Sequence, residues 1–112
     1  MVLITGGFGY LGGRIANYLR KSGNTVRIGT SRANIDSQDV QSLHEIVKIN
    51  LFDNESLEAA CKNVTIVIHL AAMNAQSCLE DPDQALRING LGTSKLINAA
   101  VKQGVNKFIY FS

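Results

Sequence analysis

The chain alternates short apolar runs with longer stretches in which apolar and polar residues are mixed. Short apolar runs bounded by turn residues are typical of strands that a parallel sheet buries on both faces. Five such runs predict strands at residues 1–5, 25–30, 45–50, 65–69 and 107–111.

Helical patterns occupy three of the intervals between these strands. Leu11, Ile15 and Leu19 recur every four residues, which is the spacing of one helix face. Asp81 followed by Pro82 combines an N-cap residue with a proline at the first helical position. The predicted helices cover residues 10–22, a short segment from Asp53 or Asn54 through Lys62, and residues 82–103, where Gly104 ends the helix.

The alternation of strands and helices predicts a doubly wound parallel α/β sheet, a Rossmann fold, with strand order 3-2-1-4-5. A length of 112 residues fits one domain, and 46% apolar with 18% charged residues is a globular composition. The fifth predicted strand would have one unpaired edge, which favours association. We therefore expect residues 1–112 to be the N-terminal, dinucleotide-binding part of a longer protein.

Charge and cysteine usage narrow the possible partners. A net charge of +2 without a basic run argues against nucleic acid and membrane surfaces. The sequence begins without a basic, apolar signal segment, and its longest apolar stretch, residues 66–73, is far too short to span a membrane. The sequence spacing of zinc ligands is not found among its cysteines and histidines, which are Cys61, Cys78, His44 and His69. We expect a cytoplasmic protein with reduced thiols and no bound metal.

Residues 5–12 read T-G-G-F-G-Y-L-G and lie between the first predicted strand and the first predicted helix. A glycine turn in this position lets N–H groups at the helix N-terminus bind a pyrophosphate. The segment lacks the lysine of a nucleoside-triphosphate loop. The alternative is that the glycines only form a tight turn. The residues expected to contact the dinucleotide are Gly6, Gly7, Phe8, Gly9, Tyr10 and Leu11.

The end of the second predicted strand bears on which nicotinamide dinucleotide is bound. An acidic residue there would bind the adenosine ribose hydroxyls of NAD, but the sequence has Thr30, Ser31 and Arg32. Two hydroxyls and a guanidinium suit a 2′-phosphate, because arginine offers a planar pair of donors. The sequence therefore favours NADP(H) over NAD(H), unless Arg32 is only a solvated loop residue.

Four motifs together resemble the extended short-chain dehydrogenase/reductase family, the NAD(P)-dependent epimerases and dehydratases. The glycine segment resembles its T-G-x-x-G-x-x-G. The other motifs are H-x-A-A at residues 69–72, N-x-x-G-T at residues 89–93, and a fifth strand at residues 108–112. The resemblance covers the whole chain and implies a nicotinamide cofactor with a small-molecule substrate, such as a nucleotide-sugar.

The resemblance also implies contacts outside the glycine segment. Leu70, Ala71 and Ala72 would lie along the nicotinamide ribose, and Asn50 with Leu51 would border the adenine. Asn89 would hydrogen-bond the backbone after the fourth strand, although a solvent-facing asparagine is the alternative. We expect His69 to be a buried histidine that braces the loop rather than a general base.

The catalytic Tyr-x-x-x-Lys of that family is missing from these residues. Tyr10 and Tyr18 are followed four residues later by Arg14 and Ser22, and the sequence ends before the partner position of Tyr110. The resemblance implies an enzyme that acts by hydride transfer. We expect this chain to be inactive alone. The resemblance also implies homodimers that form through the helix at residues 82–103. The alternatives are a non-catalytic NAD(P)-binding sensor or scaffold, and the coenzyme domain of an unrelated Rossmann dehydrogenase.

Overall fold

A computed structural model describes residues 1–6, 10–30, 45–70 and 80–111, with the backbone alone at residues 10, 85–86 and 88–89. Its centre is a five-stranded parallel sheet with the order β3-β2-β1-β4-β5. This confirms the predicted fold class and strand order. The strands are β1 (Val2–Thr5), β2 (Val26–Thr30), β3 (Glu45–Lys48), β4 (Ile66–His69) and β5 (Lys107–Tyr110).

Two of the helices begin at the predicted capping residues. The Asp53 carboxylate accepts a hydrogen bond from the Glu55 N–H at 3.1 Å, and the Asp81 carboxylate accepts one from the Gln84 N–H at 3.1 Å. Each cap satisfies a backbone donor that the first helical turn leaves without a partner. The helices are α1 (Tyr10–Lys21), α2 (Asn54–Ala60), α3 (Pro82–Leu86) and α4 (Thr93–Lys102), and Arg87–Gly92 forms a π-helical segment between the last two.

The helix predicted over residues 82–103 is present from Pro82 to Lys102, but it is not an α-helix throughout. The backbone stays helical, but it widens to a π-helix over Arg87–Gly92. Gly90 and Gly92 weaken the preference for an α-helix there. A Cβ on Gly92 would lie 3.0 Å from Leu51 Cδ1, so glycine allows the segment to approach the end of β3 closely.

Two apolar layers cover the sheet, because alternate residues of each strand point to opposite faces. On one face, Leu3 and Val67 pack with Leu57 of α2 and Leu96 of α4. On the other, α1 covers a second cluster of buried residues. Full burial of a leucine contributes about 1.5–3 kcal/mol relative to exposure, so residues such as Leu96 fix both helices to the sheet. The second cluster contains Val2, Ile4, Ala16, Val26, Ile28 and Ile68.

A buried arginine joins β2 to the end of α2. Arg27 is 8% exposed, and its Nη1 donates to the carbonyl oxygens of Ala60 at 2.7 Å and Lys62 at 2.8 Å. Its Nε lies 3.3 Å from Glu45 Oε1, an ion pair without hydrogen-bond geometry. The guanidinium therefore satisfies carbonyls at the C-terminal end of α2 that have no helical partner.

Replacement of Arg27 by methionine should lower the free energy of unfolding by about 2–4 kcal/mol, because it leaves these carbonyls without a donor. Urea unfolding followed by circular dichroism measures the change. Glu45→Gln is the matched control, and its half-exposed carboxylate should contribute less than about 1 kcal/mol. Equal stability of Arg27→Met and the parent would contradict this role for the guanidinium.

Candidate cofactor-binding site

The predicted binding segments leave the sheet at one edge. All five strands are parallel, so their carboxyl ends lie side by side. In open α/β sheets, ligands bind outside this edge at the point where the strand order reverses. The order β3-β2-β1-β4-β5 places that point between β1 and β4, directly beyond Thr5 and His69.

The turn after β1 requires glycine at its first position. Gly6 has a φ of 78°, a conformation that side chains disfavour, and its N–H donates to the Gly29 carbonyl at 3.3 Å. This confirms the predicted conformational need at Gly6. Gly7, Phe8 and Gly9 lie outside the described residues. Helix α1 follows from Tyr10, and Leu11 in its first turn is 48% exposed.

His69 is buried at the end of β4 and is hydrogen-bonded through both ring nitrogens. Nδ1 lies 2.6 Å from Thr5 Oγ1, and Nε2 lies 3.0 Å from Thr93 Oγ1. The ring has no exposed surface and stacks on Tyr110, with 5.5 Å between ring centroids. We call the three side chains Thr5, His69 and Thr93 the His69 bridge. The prediction of a buried histidine is confirmed, and the loop that it was expected to brace lies outside the described residues.

The charge state of His69 follows from its surroundings. Burial lowers the pKa of His69 from 6.5 to about 4. A neutral imidazole has one donor and one acceptor, and the two threonine hydroxyls can serve both. His69 is therefore a neutral structural group at pH 7, with neither nitrogen directed to solvent.

The end of β3 forms a turn against the π-helical segment. Asn50 lies two residues beyond β3, which ends at Lys48 rather than at residue 50, and its Oδ1 accepts from the Phe52 N–H at 3.0 Å. One lone pair of that oxygen remains for the predicted contact with an adenine amino group. Leu51 packs against Gly92, a contact that the sequence did not predict for either residue.

An aromatic contact closes the same corner of the molecule. The Arg87 guanidinium lies 5.2 Å from the centroid of the Phe52 ring. Such cation–π pairs contribute about 0.5–1 kcal/mol at exposed sites. This pair and the Leu51–Gly92 contact hold the turn after β3 against the π-helical segment.

Thr30 lies at the carboxyl end of β2, as predicted for a residue near the adenosine ribose. It is 8% exposed, and its carbonyl accepts from the Ile49 N–H at 2.7 Å. Its register partner in β3 is the exposed Lys48, which places a cation at this edge that sequence reasoning missed. Ser31 and Arg32 lie outside the described residues.

The remaining predicted residues divide between the described and undescribed segments. Leu70 follows β4, and its N–H donates to Thr5 Oγ1 at 3.1 Å. Ala71 and Ala72 lie outside the described residues. Asn89 belongs to the π-helical segment, and the structure describes only its backbone. Thr93 was part of a quoted motif, but no contact was expected from it, and the structure places it on His69.

Within the described parts of the chain, no three histidine, cysteine, aspartate or glutamate side chains group as metal ligands. Among the same residues, no helix has the length and apolar character needed to cross a membrane. Cys61 is a buried thiol, and burial raises its pKa to about 11.

Comparison with known proteins settles the family. Residues 2–112 match the sequence profile described as the NAD dependent epimerase/dehydratase family. The chain belongs to this family. It is 29% identical over its whole length to a putative UDP-glucose 4-epimerase of Methanocaldococcus jannaschii, and it covers 37% of that protein.

Two solved structures of similar proteins share the fold. An epimerase from Methanothermobacter thermautotrophicus has a TM-score of 0.85 and 34% identity over 97% of this chain and 34% of its own. The UDP-glucose 4-epimerase of Thermus thermophilus, in complex with NAD, has a TM-score of 0.83 and 31% identity over 96% of this chain and 35% of its own. The chain spans about a third of the length of these relatives.

The low pKa of His69 predicts how the stability of this family member depends on pH. The folded state binds fewer protons than the unfolded state between pH 6.5 and about 4. The stability that the neutral His69 ring contributes to the folded state is therefore complete above pH 6.5 and is lost as the pH falls through this range. The loss should be on the order of 3 kcal/mol.

Urea unfolding at several pH values from 7 to 4, compared between the parent and His69→Gln, measures this contribution. Glutamine keeps a donor and an acceptor but does not titrate in this range. We expect the free energy of unfolding of His69→Gln to fall less steeply with decreasing pH. Identical slopes for the two proteins would show that His69 does not titrate as described.

Proposed function

We propose that this chain binds a nicotinamide dinucleotide across the carboxyl edge of its sheet, with the pyrophosphate at the turn between β1 and α1. The carrying observation is the positive φ of Gly6 at the point where the strand order reverses. This turn leads directly to the N-terminus of α1, where backbone N–H groups and the helix dipole favour an anion.

The binding residues fall into three groups along this edge. The residues proposed to bind the pyrophosphate are in the turn after β1 and the first turn of α1. The residues proposed to bind the adenosine lie beyond β2 and β3. Those proposed for the nicotinamide ribose lie beyond β4 and in the π-helical segment. In that order the proposed residues are Gly6, Gly7, Phe8, Gly9, Tyr10 and Leu11; Thr30, Ser31, Arg32, Asn50 and Leu51; Leu70, Ala71, Ala72 and Asn89.

We further propose that this chain serves a hydride-transfer enzyme of the epimerase, dehydratase or reductase type, acting on a nucleotide-sugar or a similar hydroxyl or carbonyl substrate. A bound nicotinamide ring supplies the site that accepts or returns a hydride. Family membership and the UDP-glucose 4-epimerases among the relatives support this proposal. We also propose that the protein is cytoplasmic and that it forms a homodimer. The exposed apolar pair Ile97 and Val101 on α4 supports the homodimer.

The chain has groups that bind and orient but lacks the family's proton-transferring pair. No tyrosine in the sequence is followed four residues later by lysine. Efficient hydride transfer at a hydroxyl carbon needs a general acid or base for the hydroxyl proton. His69 does not replace that group, because both of its ring nitrogens face threonine hydroxyls.

The 112 residues alone should therefore bind the dinucleotide without interconverting UDP-glucose and UDP-galactose. Calorimetric titration with NAD⁺ and NADP⁺ measures binding, and chromatography of the nucleotide-sugars measures turnover. Turnover by these residues alone would contradict the proposal that they lack a proton-transferring pair. Dinucleotide binding by the intact gene product without turnover of nucleotide-sugars or of similar hydroxyl and carbonyl substrates would favour the sensor or scaffold alternative instead.

The choice between the two dinucleotides is a finer proposal. NADP(H) is supported by the lack of a carboxylate at residues 30–32, by the Arg32 guanidinium and by Lys48 beside Thr30. The Thermus thermophilus relative is described with NAD, so the preference would be a property of this chain. A cation and hydroxyls at the end of β2 would favour a phosphate on the adenosine ribose.

We expect NADP⁺ to bind about tenfold more tightly than NAD⁺, since one charge-assisted hydrogen bond to the 2′-phosphate lowers a dissociation constant by about that factor. Arg32→Ala should reduce the ratio of the two dissociation constants towards one. Arg20→Ala, at the opposite end of α1 from the glycine turn, should leave the ratio unchanged. Calorimetry on the intact gene product gives both constants, and equal or NAD-favouring values for the parent would overturn the preference.

A further inference from the structure

The four motifs of the sequence meet in space at one imidazole ring. Thr5 opens the glycine motif, His69 opens H-x-A-A, Thr93 closes N-x-x-G-T, and Tyr110 belongs to the fifth strand. Thr5 and Thr93 hydrogen-bond to the His69 ring, and Tyr110 stacks on it. Three of the four motifs contribute residues to the proposed dinucleotide site.

The His69 bridge is continuous with the backbone of two binding segments. Leu70 N–H donates to Thr5 Oγ1 at 3.1 Å and to the Thr5 carbonyl, also at 3.1 Å. Thr5 immediately precedes Gly6, and Leu70 immediately precedes Ala71. The position of the Thr5 side chain therefore bears on where both the glycine turn and the segment after β4 leave the sheet.

The other end of the bridge fixes the helix. Thr93 is the first residue of α4, directly after the π-helical segment that carries Asn89. Gly92 contacts Leu51, and Thr93 contacts His69, so consecutive residues pin the helix to the ends of β3 and β4. If the Thr93 hydroxyl is lost, Nε2 of the fully buried ring loses the partner it has here. Since a buried polar atom without a partner is costly, loss of this hydroxyl would weaken the link between α4 and the ring that also contacts Thr5.

We propose that Thr93 and His69 are positioning residues for the dinucleotide, whose bridge to Thr5 sets the spacing between the glycine turn and the π-helical segment. The proposal rests on the proposed function, because it concerns the affinity of that same site. The proposed role differs from a purely structural one, since the bridge must hold two binding segments at a fixed position relative to each other. Thr93 tests it better than His69, because its hydroxyl can be removed without a large change of volume.

The test compares Thr93→Val, which removes the hydroxyl, with Thr93→Ser, which keeps it. Calorimetric titration of the intact gene product with NAD⁺ and with NADP⁺ gives the dissociation constants, and thermal unfolding is followed in parallel. Because Thr93→Val loses one hydrogen bond, its dissociation constants for the dinucleotides should be about 3- to 10-fold higher than those of the parent. Thr93→Ser should bind within about twofold of the parent, since its hydroxyl can still reach Nε2.

Ala99→Gly is the control for destabilisation alone. Ala99 is buried in α4, away from the bridge, and glycine there lowers helix stability without removing a polar group. It should lower the unfolding temperature but leave the dissociation constants within about twofold of the parent. Equal binding by the parent and Thr93→Val would overturn the proposal, as would equal weakening by Thr93→Val and Ala99→Gly. Failure of the parent to bind either dinucleotide would instead refute the proposed function.

Discussion

The carboxyl edge of this sheet depends on one buried contact, the hydrogen-bonded pair of Thr5 and His69. These residues are register partners in β1 and β4, on the two sides of the point where the strand order reverses. A dinucleotide site at such a point needs an open edge, so no further strand can fasten the two chain segments there. The Leu70 N–H joins the two segments through the Thr5 carbonyl, and side chains add further contacts, since His69 reaches Thr5 on one side and Thr93 on the other. Because the ring is fully buried, its neutral form is the stable one, and it keeps this form in the folded protein at pH values well above its pKa of about 4.

Features determined by neighbouring residues were predictable from the sequence. Asp53 and Asp81 cap their helices through N–H groups two and three residues away, and Gly6 takes the positive φ that its position in the turn requires. The five strands followed from their apolar runs, and their order followed from the alternation with helices. The third strand ended two residues early, because the Asn50 side chain binds the Phe52 N–H and turns the chain.

Features determined by contacts between distant residues were not predictable. Arg27 donates to carbonyls 33 and 35 residues away, and Thr93 meets a histidine 24 residues away. Lys48 stands beside Thr30 only because of the register of β2 with β3. The lack of a side chain at Gly92 matters to the π-helical segment only because Leu51 packs against it. A single sequence contains no signal for these pairings, although the motif around Thr93 marked the right residues without their partners.

We propose that backbone N–H groups at the start of α1 hold the two linked phosphates of a nicotinamide dinucleotide. A crystal structure of the intact gene product with NADP⁺ or NAD⁺ tests it most directly. We expect the pyrophosphate at the turn from Gly6 to Leu11, with the adenosine towards Thr30 and the nicotinamide towards Leu70. A dinucleotide bound elsewhere, with that turn empty of phosphate, would refute this proposal.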